Sequence, residues 1–210
     1  MRTRIKVCGI MRPEDGRLAL EAGADYLGMI LTESPRRLSL EDARAVRRAL
    51  PSDAAVVGVF ADEPREVVEP FVKALGLHAV QVRGWIPRET PFQAEIWDVL
   101  RDSSLPDPTT LPMVPLRTYL LDAHDATLPG GTGRRSDWIW AKRCVEVGRR
   151  LFVAGGLNAE NVEALIDEVR PFGVDASSGL EASVGRKSPE KVRAFIERVR
   201  ACDRVRSKRS

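Results

Sequence analysis

Short apolar runs alternate with amphipathic stretches along the chain, and this alternation predicts strands and helices in strict turn. The runs Arg4–Cys8, Tyr26–Ile30, Ala55–Phe60, Ala79–Val82, Glu95–Leu100, Thr118–Asp122, Leu151–Ala154 and Gly173–Ala176 have the length and composition of buried strands. Apolar residues at helical spacing predict helices over Pro13–Ala22, Leu40–Leu50, Pro64–Leu75 and Trp138–Gly148. Another helix is capped by Asn158 and stopped by Pro171, and a last one, Pro189–Arg200, is capped by Ser188. The middle is less regular. Two prolines in 86–93 and four in 103–115 predict shortened or irregular helices after strands four and five.

Eight strand–helix units imply parallel strands joined by right-handed crossovers. An open doubly wound sheet would carry a G-x-G-x-x-G turn after its first strand, where this chain has Cys8-Gly9-Ile10. Two small-residue turns instead follow strands seven and eight: Gly155-Gly156 and Ser177-Ser178-Gly179. Residues this small leave backbone N–H groups uncovered, which is how such turns bind phosphate. In a closed barrel those two strand ends are a common phosphate site. The expected architecture is a single-domain α/β protein, a (β/α)₈ TIM barrel over residues 1–202, with 203–210 a basic, disordered tail.

Composition narrows the function. The 210 residues carry a net charge of +3, with much of the excess in the terminal RVRSKRS. That tail lacks interleaved aromatics, so a solvated helix end is expected and no nucleic-acid partner. No apolar run is long enough to cross a membrane. The chain enters its first strand at once, without a signal-peptide pattern, and its three widely spaced cysteines do not form a disulfide framework. A cytoplasmic protein is expected. Two histidines, neither near a cysteine pair, predict no metal site.

Chemistry in a barrel sits at the C-terminal strand ends. Strand one delivers Cys8 there, strand two leads to Ser34 and Arg36, and strand three ends at Asp62. Strand four gives Gln81 and Arg83, strand six Asp122, and the last two strands the amides of Gly156, Ser178 and Gly179. Taken alone, Cys8 reads as a small buried residue and Asp122 as a loop anchor. At facing strand ends they also read as an acid/base pair: a thiolate that takes a proton, and a carboxyl in a half-apolar mouth that gives one. Arg36 suits an anionic substrate, because a guanidinium grips a carboxylate in bidentate fashion. The residues describe a cofactor-free enzyme that moves protons on a small phosphorylated molecule, an isomerase, without naming the sugar or acid.

The stretches IKVCGI at 5–10, EAGADYLG at 21–28, ESPRRLS at 33–39, VVGVF at 56–60 and LLD at 120–122 resemble one family in order. GGTG at 130–133 with Asp137-Trp138, AGGLNAENV at 154–162 and VDASSGLE at 174–181 continue the likeness. It is the phosphoribosylanthranilate isomerase family of tryptophan biosynthesis. The resemblance implies an Amadori rearrangement of N-(5-phosphoribosyl)anthranilate to 1-(o-carboxyphenylamino)-1-deoxyribulose 5-phosphate, with no cofactor, by a monomer or homodimer. It implies Asp122 as general acid at the ring oxygen and Cys8 as general base at C2. Arg36 would hold the anthranilate carboxylate and amides around Gly156, Ser178 and Gly179 the phosphate, while the Gly130–Gly133 loop closes over the site. Departures stand at Gln81-Val82-Arg83-Gly84, where the family has Gln-Leu-His-Gly, and at Arg134-Arg135-Ser136, where it has Lys-Thr-Phe. Asp62 replaces a usual Asn. Arg83, Arg135 and Asp62 are where substrate preference would differ. Alternatives are a histidine-pathway-like isomerase, whose strand-one base is usually Asp, and a phosphate-binding barrel without turnover.

Overall fold

The computed structural model describes residues 2–83, 93–101, 105–113, 117–122 and 133–208, without the side chains of 101 and 133–137. Eight parallel strands close into one barrel. They are β1 (Arg4–Val7), β2 (Tyr26–Ile30), β3 (Val56–Val59), β4 (Ala79–Arg83), β5 (Glu95–Arg101), β6 (Arg117–Asp122), β7 (Leu151–Ala154) and β8 (Gly173–Ala176). Closure is made by β1 on β8, with Lys6 opposite Asp175 and Val7 opposite Ala176.

Among the described residues six helices cover the outside: α1 (Pro13–Ala22), α2 (Leu40–Arg48), α3 (Arg65–Leu75), α4 (Gly133–Glu146), α5 (Val162–Val169) and α6 (Pro189–Ser207). Their ends follow local chemistry. Ser39 and Ser188 cap α2 and α6 through their hydroxyls, which accept from the amides of Asp42 and Lys191. Gly76 ends α3 in the left-handed conformation. α5 is preceded by Asn161 at its N-cap, not by Asn158 as expected; Asn158 instead anchors the turn before it, its side-chain oxygen accepting from the amides of Glu160 and Asn161 at 2.8 and 3.2 Å.

The irregular middle expected after strand five is present: the described part of that connection, 105–113, holds only the single 3₁₀ turn Pro108–Thr110. The connection after strand four, 84–92, lies outside the described residues, as does 130–132 of the loop expected to close over the site.

Two further expectations need correction. A two-stranded hairpin, β9 (Glu181–Ser183) and β10 (Arg186–Lys187), stands between β8 and α6 where the sequence pattern gave no element. And α6 runs on to Ser207, through most of the segment expected to be a disordered tail. The extension is held by tertiary bonds: Asp203 accepts from the backbone N–H and hydroxyl of Thr3 at 3.0 and 2.7 Å, and Cys202 is buried.

The same corner is fixed by Asp25, just ahead of β2. It accepts from the Ile5 amide at 2.9 Å and from Arg4, Arg2 and Arg200 at 2.8–3.2 Å. Burial pushes its carboxyl up, but the bonds from Arg4, the Ile5 amide and Arg200 outweigh that and hold it below the ordinary carboxylate value. A depressed folded value means stability present above the unfolded pKa and lost as pH falls through the folded one. Asp25→Asn should therefore cost about 1–3 kcal/mol near neutrality. In urea melts the gap to wild type should close as pH drops below the carboxylate range. A gap unchanged with pH would show that charge is not what Asp25 contributes.

Apolar packing falls in two shells. Between barrel and helices lies the larger, built from residues such as Ile5, Val7, Leu27, Val80, Leu121, Val153 and Val174 with Leu165, Val192 and Phe195 of the helices. Inside the barrel, toward the N-terminal strand ends, is a smaller one of Val57, Ala79, Trp97, Leu120 and Phe152, with Tyr26 and Phe172 against it. This aromatic plug closes the barrel floor and leaves its upper half to polar residues.

Candidate active site

A cavity of about 700 Å³ opens at the C-terminal strand ends. Its walls carry Cys8, Arg36, Gln81, Arg83, Asp122, Gly156 and Ser178, so seven of the eight residues expected at a site share one space. Gly179 is not in its wall. A Cβ there would sit 2.3 Å from the Leu157 carbonyl oxygen, so glycine is required for the second turn to pack on the first. In the first turn Gly155 and Gly156 both have positive φ, +100° and +58°, a conformation open mainly to glycine. In the second turn the Ser177 hydroxyl, next to Gly9, is buried and without a hydrogen-bond partner among the described residues.

Cys8 follows β1, its amide bonded to the Ala176 carbonyl at 2.9 Å. The thiol packs on bare backbone: a Cβ at Gly28 of β2 would lie 2.7 Å from Cys8 Sγ. Burial pushes the thiol pKa up, opposed by the ammonium groups of Lys6 and Lys187 and reinforced by Asp175. Asp122 is the last residue of β6, level with Ala154 of β7 at the mouth.

Arg36 is not free. Its guanidinium forms a bidentate pair with Glu181, both bonds 2.7 Å. That bond raises the Arg36 pKa further. Lys187 of the hairpin reaches the same carboxylate at 3.2 Å and the Ser177 carbonyl at 3.1 Å. For Glu181, burial is outweighed by Arg36 and Lys187, and its carboxyl stays below the ordinary value. The cluster holds two cations and one anion, and of the three only Arg36 lines the cavity. Arg83 is likewise paired, at 2.6 Å with Asp62. The two departures from the family pattern at the mouths of β3 and β4 thus neutralise each other. The third, Arg135, has its side chain outside the described residues.

Sequence reading missed Lys6, Asp175, Glu181 and Lys187. Lys6 is fully buried inside the barrel, its ammonium bonded to Asp175 at 2.7 Å and Gln81 at 2.8 Å. A local signal for it existed: Lys6 lies two residues before Cys8 on the same inward face, between the apolar Ile5 and Val7. Glu181 and Lys187 gave none, because the hairpin that carries them has no periodic pattern.

Among the described residues no group of three His, Cys, Asp or Glu comes together as a metal cluster. None of the described helices is long and apolar enough to cross a membrane.

Residues 5–198 match the family model of N-(5'-phosphoribosyl)anthranilate (PRA) isomerase. A relative from Pelobacter propionicus named N-(5'-phosphoribosyl)anthranilate isomerase is 40% identical over 92% of this chain and 93% of its own. One of the same name from Trichlorobacter lovleyi is 38% identical over 92% and 96%. A crystal structure of phosphoribosyl anthranilate isomerase with reduced 1-(o-carboxyphenylamino)-1-deoxyribulose 5-phosphate superposes with a TM-score of 0.78 at 31% identity, covering 95% of this chain and 99% of that one. Engineered monomers of the dimeric Thermotoga maritima enzyme give 0.77 at 32%, covering 95% and 99%.

Proposed function

Because the chain belongs to the N-(5'-phosphoribosyl)anthranilate isomerase family, we infer that its barrel mouth is where that family's reaction takes place. The protein is an isomerase of tryptophan biosynthesis, converting N-(5'-phosphoribosyl)anthranilate to 1-(o-carboxyphenylamino)-1-deoxyribulose 5-phosphate. One observation carries the assignment of residues: Cys8, Asp122 and the turns after β7 and β8 share the wall of a single cavity.

In this reading the phosphate sits over Gly155-Gly156 and Ser177-Ser178. The open amides and the unpartnered Ser177 hydroxyl are its donors. Asp122 gives its proton to the furanose ring oxygen, and the ring opens to a Schiff base at C1. Cys8, as thiolate, takes the proton from C2, leaving an enolamine. That enolamine becomes the aminoketose when its C1 gains a proton and its C2 hydroxyl gives one up. Protons only move, so no redox partner enters the balance. The anthranilate carboxylate meets Arg36, with Lys187 adding positive charge behind it. Glu181 already occupies the bidentate face of Arg36, so the incoming carboxylate binds the remaining edge of the guanidinium rather than displacing the pair. Asp62 offsets the charge of Arg83, keeping a second cation from competing for the carboxylate.

The test is a turnover assay with phosphoribosylanthranilate generated in situ and its fluorescence followed. A decay that scales with protein concentration is expected. Fluorescence that decays no faster than the blank, with the reduced product analogue still bound, would make the chain a binding barrel.

A further inference from the structure

A buried lysine inside a barrel is hard to explain as a stabilising device. Removing an ammonium and a carboxylate from water costs several kcal/mol each, and apolar residues of the same volume commonly serve as well. Lys6 nonetheless lies fully buried in the interior, 2.7 Å from Asp175 and 2.8 Å from Gln81. Those two partners come from β8 and β4, on different sides of the barrel, so the ammonium is fixed from two directions. It is held one inward position below Cys8 on the same strand. The Gly28 backbone, by its lack of a side chain, lets the thiol settle against β2.

We propose that Lys6 is a positioning residue for the isomerisation: the charge that Asp175 and Gln81 hold beneath Cys8 is the counter-ion that lets the buried thiol ionise. The inference rests on Cys8 being the base of the proposed reaction. The groups that face the thiol are Lys6 on its own strand, Asp175 from β8, Lys187 from β10 and Arg36 from the loop after β2. Asp122 acts at one remove, through Asp175. Arg36 and Lys187 both pair with Glu181 of the hairpin, whereas Lys6 pairs with Asp175 and lies two residues before Cys8 on the same inward face. Burial lowers the Lys6 pKa, but Asp175 and Cys8 together raise it, so the ammonium stays charged. Asp175 itself is pushed up by burial, with Lys6 pulling the other way. Lys6 thus favours the thiolate, and Asp175 competes with the thiol for the same cation.

Two substitutions of similar shape give shifts of opposite sign, which a purely structural role would not. The readout is the pH dependence of Cys8 alkylation by iodoacetamide in the whole protein, followed by mass spectrometry of the Cys8 peptide, with buried Cys144 and Cys202 as internal controls. In Lys6→Met the midpoint for Cys8 should rise by about one to three pH units, the range set by a nearby opposite charge. In Asp175→Asn it should fall. The acid limb of kcat/KM should move with the alkylation midpoint in Lys6→Met. A midpoint that stays put in both, or moves the same way in both, overturns the proposal. If Lys6→Met does not fold, Asp175→Asn decides alone: a fall supports the counter-ion, and no fall refutes it. Alkylation needs no turnover, so an inactive protein with the expected shifts would refute the proposed reaction and leave the Lys6–Cys8 coupling standing.

Discussion

Cys8→Ser and Asp122→Asn are each expected to lower kcat by about 10²–10⁴-fold, the usual worth of a positioned general acid or base. Both changes nearly preserve shape. Serine fits the space that the bare Gly28 backbone leaves for the thiol, and asparagine fits the end of β6. What they remove is acid/base capacity: a serine hydroxyl does not ionise near neutrality, and an amide cannot give up a proton. KM should change little, since the phosphate turns and Arg36 are untouched, and a fall in kcat with KM unchanged marks an interaction made in the transition state. The double variant should be hardly worse than either single one if the two groups serve one reaction coordinate. Steady-state kinetics at matched pH, with circular dichroism to show that the fold is intact, is the measurement. Retention of activity within tenfold in Cys8→Ser would mean that the thiol is not the base. The same in Asp122→Asn would send the search for the acid elsewhere on the mouth.

Phe152→Ala should be the most damaging change to stability, at about 3–5 kcal/mol. Phe152 is fully buried and stacks on Trp97, with ring centroids 4.4 Å apart. The rings of Tyr26 and Phe172 meet it edge-on at 5.8 and 5.7 Å. Its space is reserved by Gly173: a Cβ there would come within 2.3 Å of the ring. β8 therefore runs too close for any neighbour to fill the hole left by alanine, and strands hydrogen-bonded on both sides cannot move inward to collapse it. Thermal melts should show a drop of about 10 °C, taking roughly 2–4 °C per kcal/mol for a chain of this size. Phe152→Leu should recover much of it. A loss below about 1 kcal/mol would mean that the floor of the barrel can relax, contrary to close packing.

The reach of the sequence differs from residue to residue. Cys8 and Asp122 were legible because each ends an apolar run, and in parallel α/β folds strand ends converge on the site whatever else varies. Gly155, Gly156 and Ser178 were legible because turn chemistry is local. Gly179 has a second reason to be glycine, the carbonyl of Leu157 in the other turn, a neighbour that no local pattern reveals. Arg36 was found but its partner was not, since Glu181 lies 145 residues away. Ser207 ends a helix that composition read as a tail, because the contacts of Asp203 with Thr3 span almost the whole chain.

By itself the sequence determined the order of eight strands, the Ser188 cap of the last helix, the two small-residue turns and the strand ends that carry Cys8 and Asp122. All of these follow from periods of two and 3.6 residues and from turn chemistry, which act over short distances along the chain. The tertiary structure alone decided which charges meet: Lys6 with Asp175 across 169 residues, Arg36 with Glu181 and Lys187, Arg83 with Asp62. Alternation shows that a residue faces inward, but the tilt and stagger of a closed barrel choose its neighbours. Because Lys6, Asp175, Glu181 and Lys187 lie in a water-poor interior, that choice also sets which of them hold a charge.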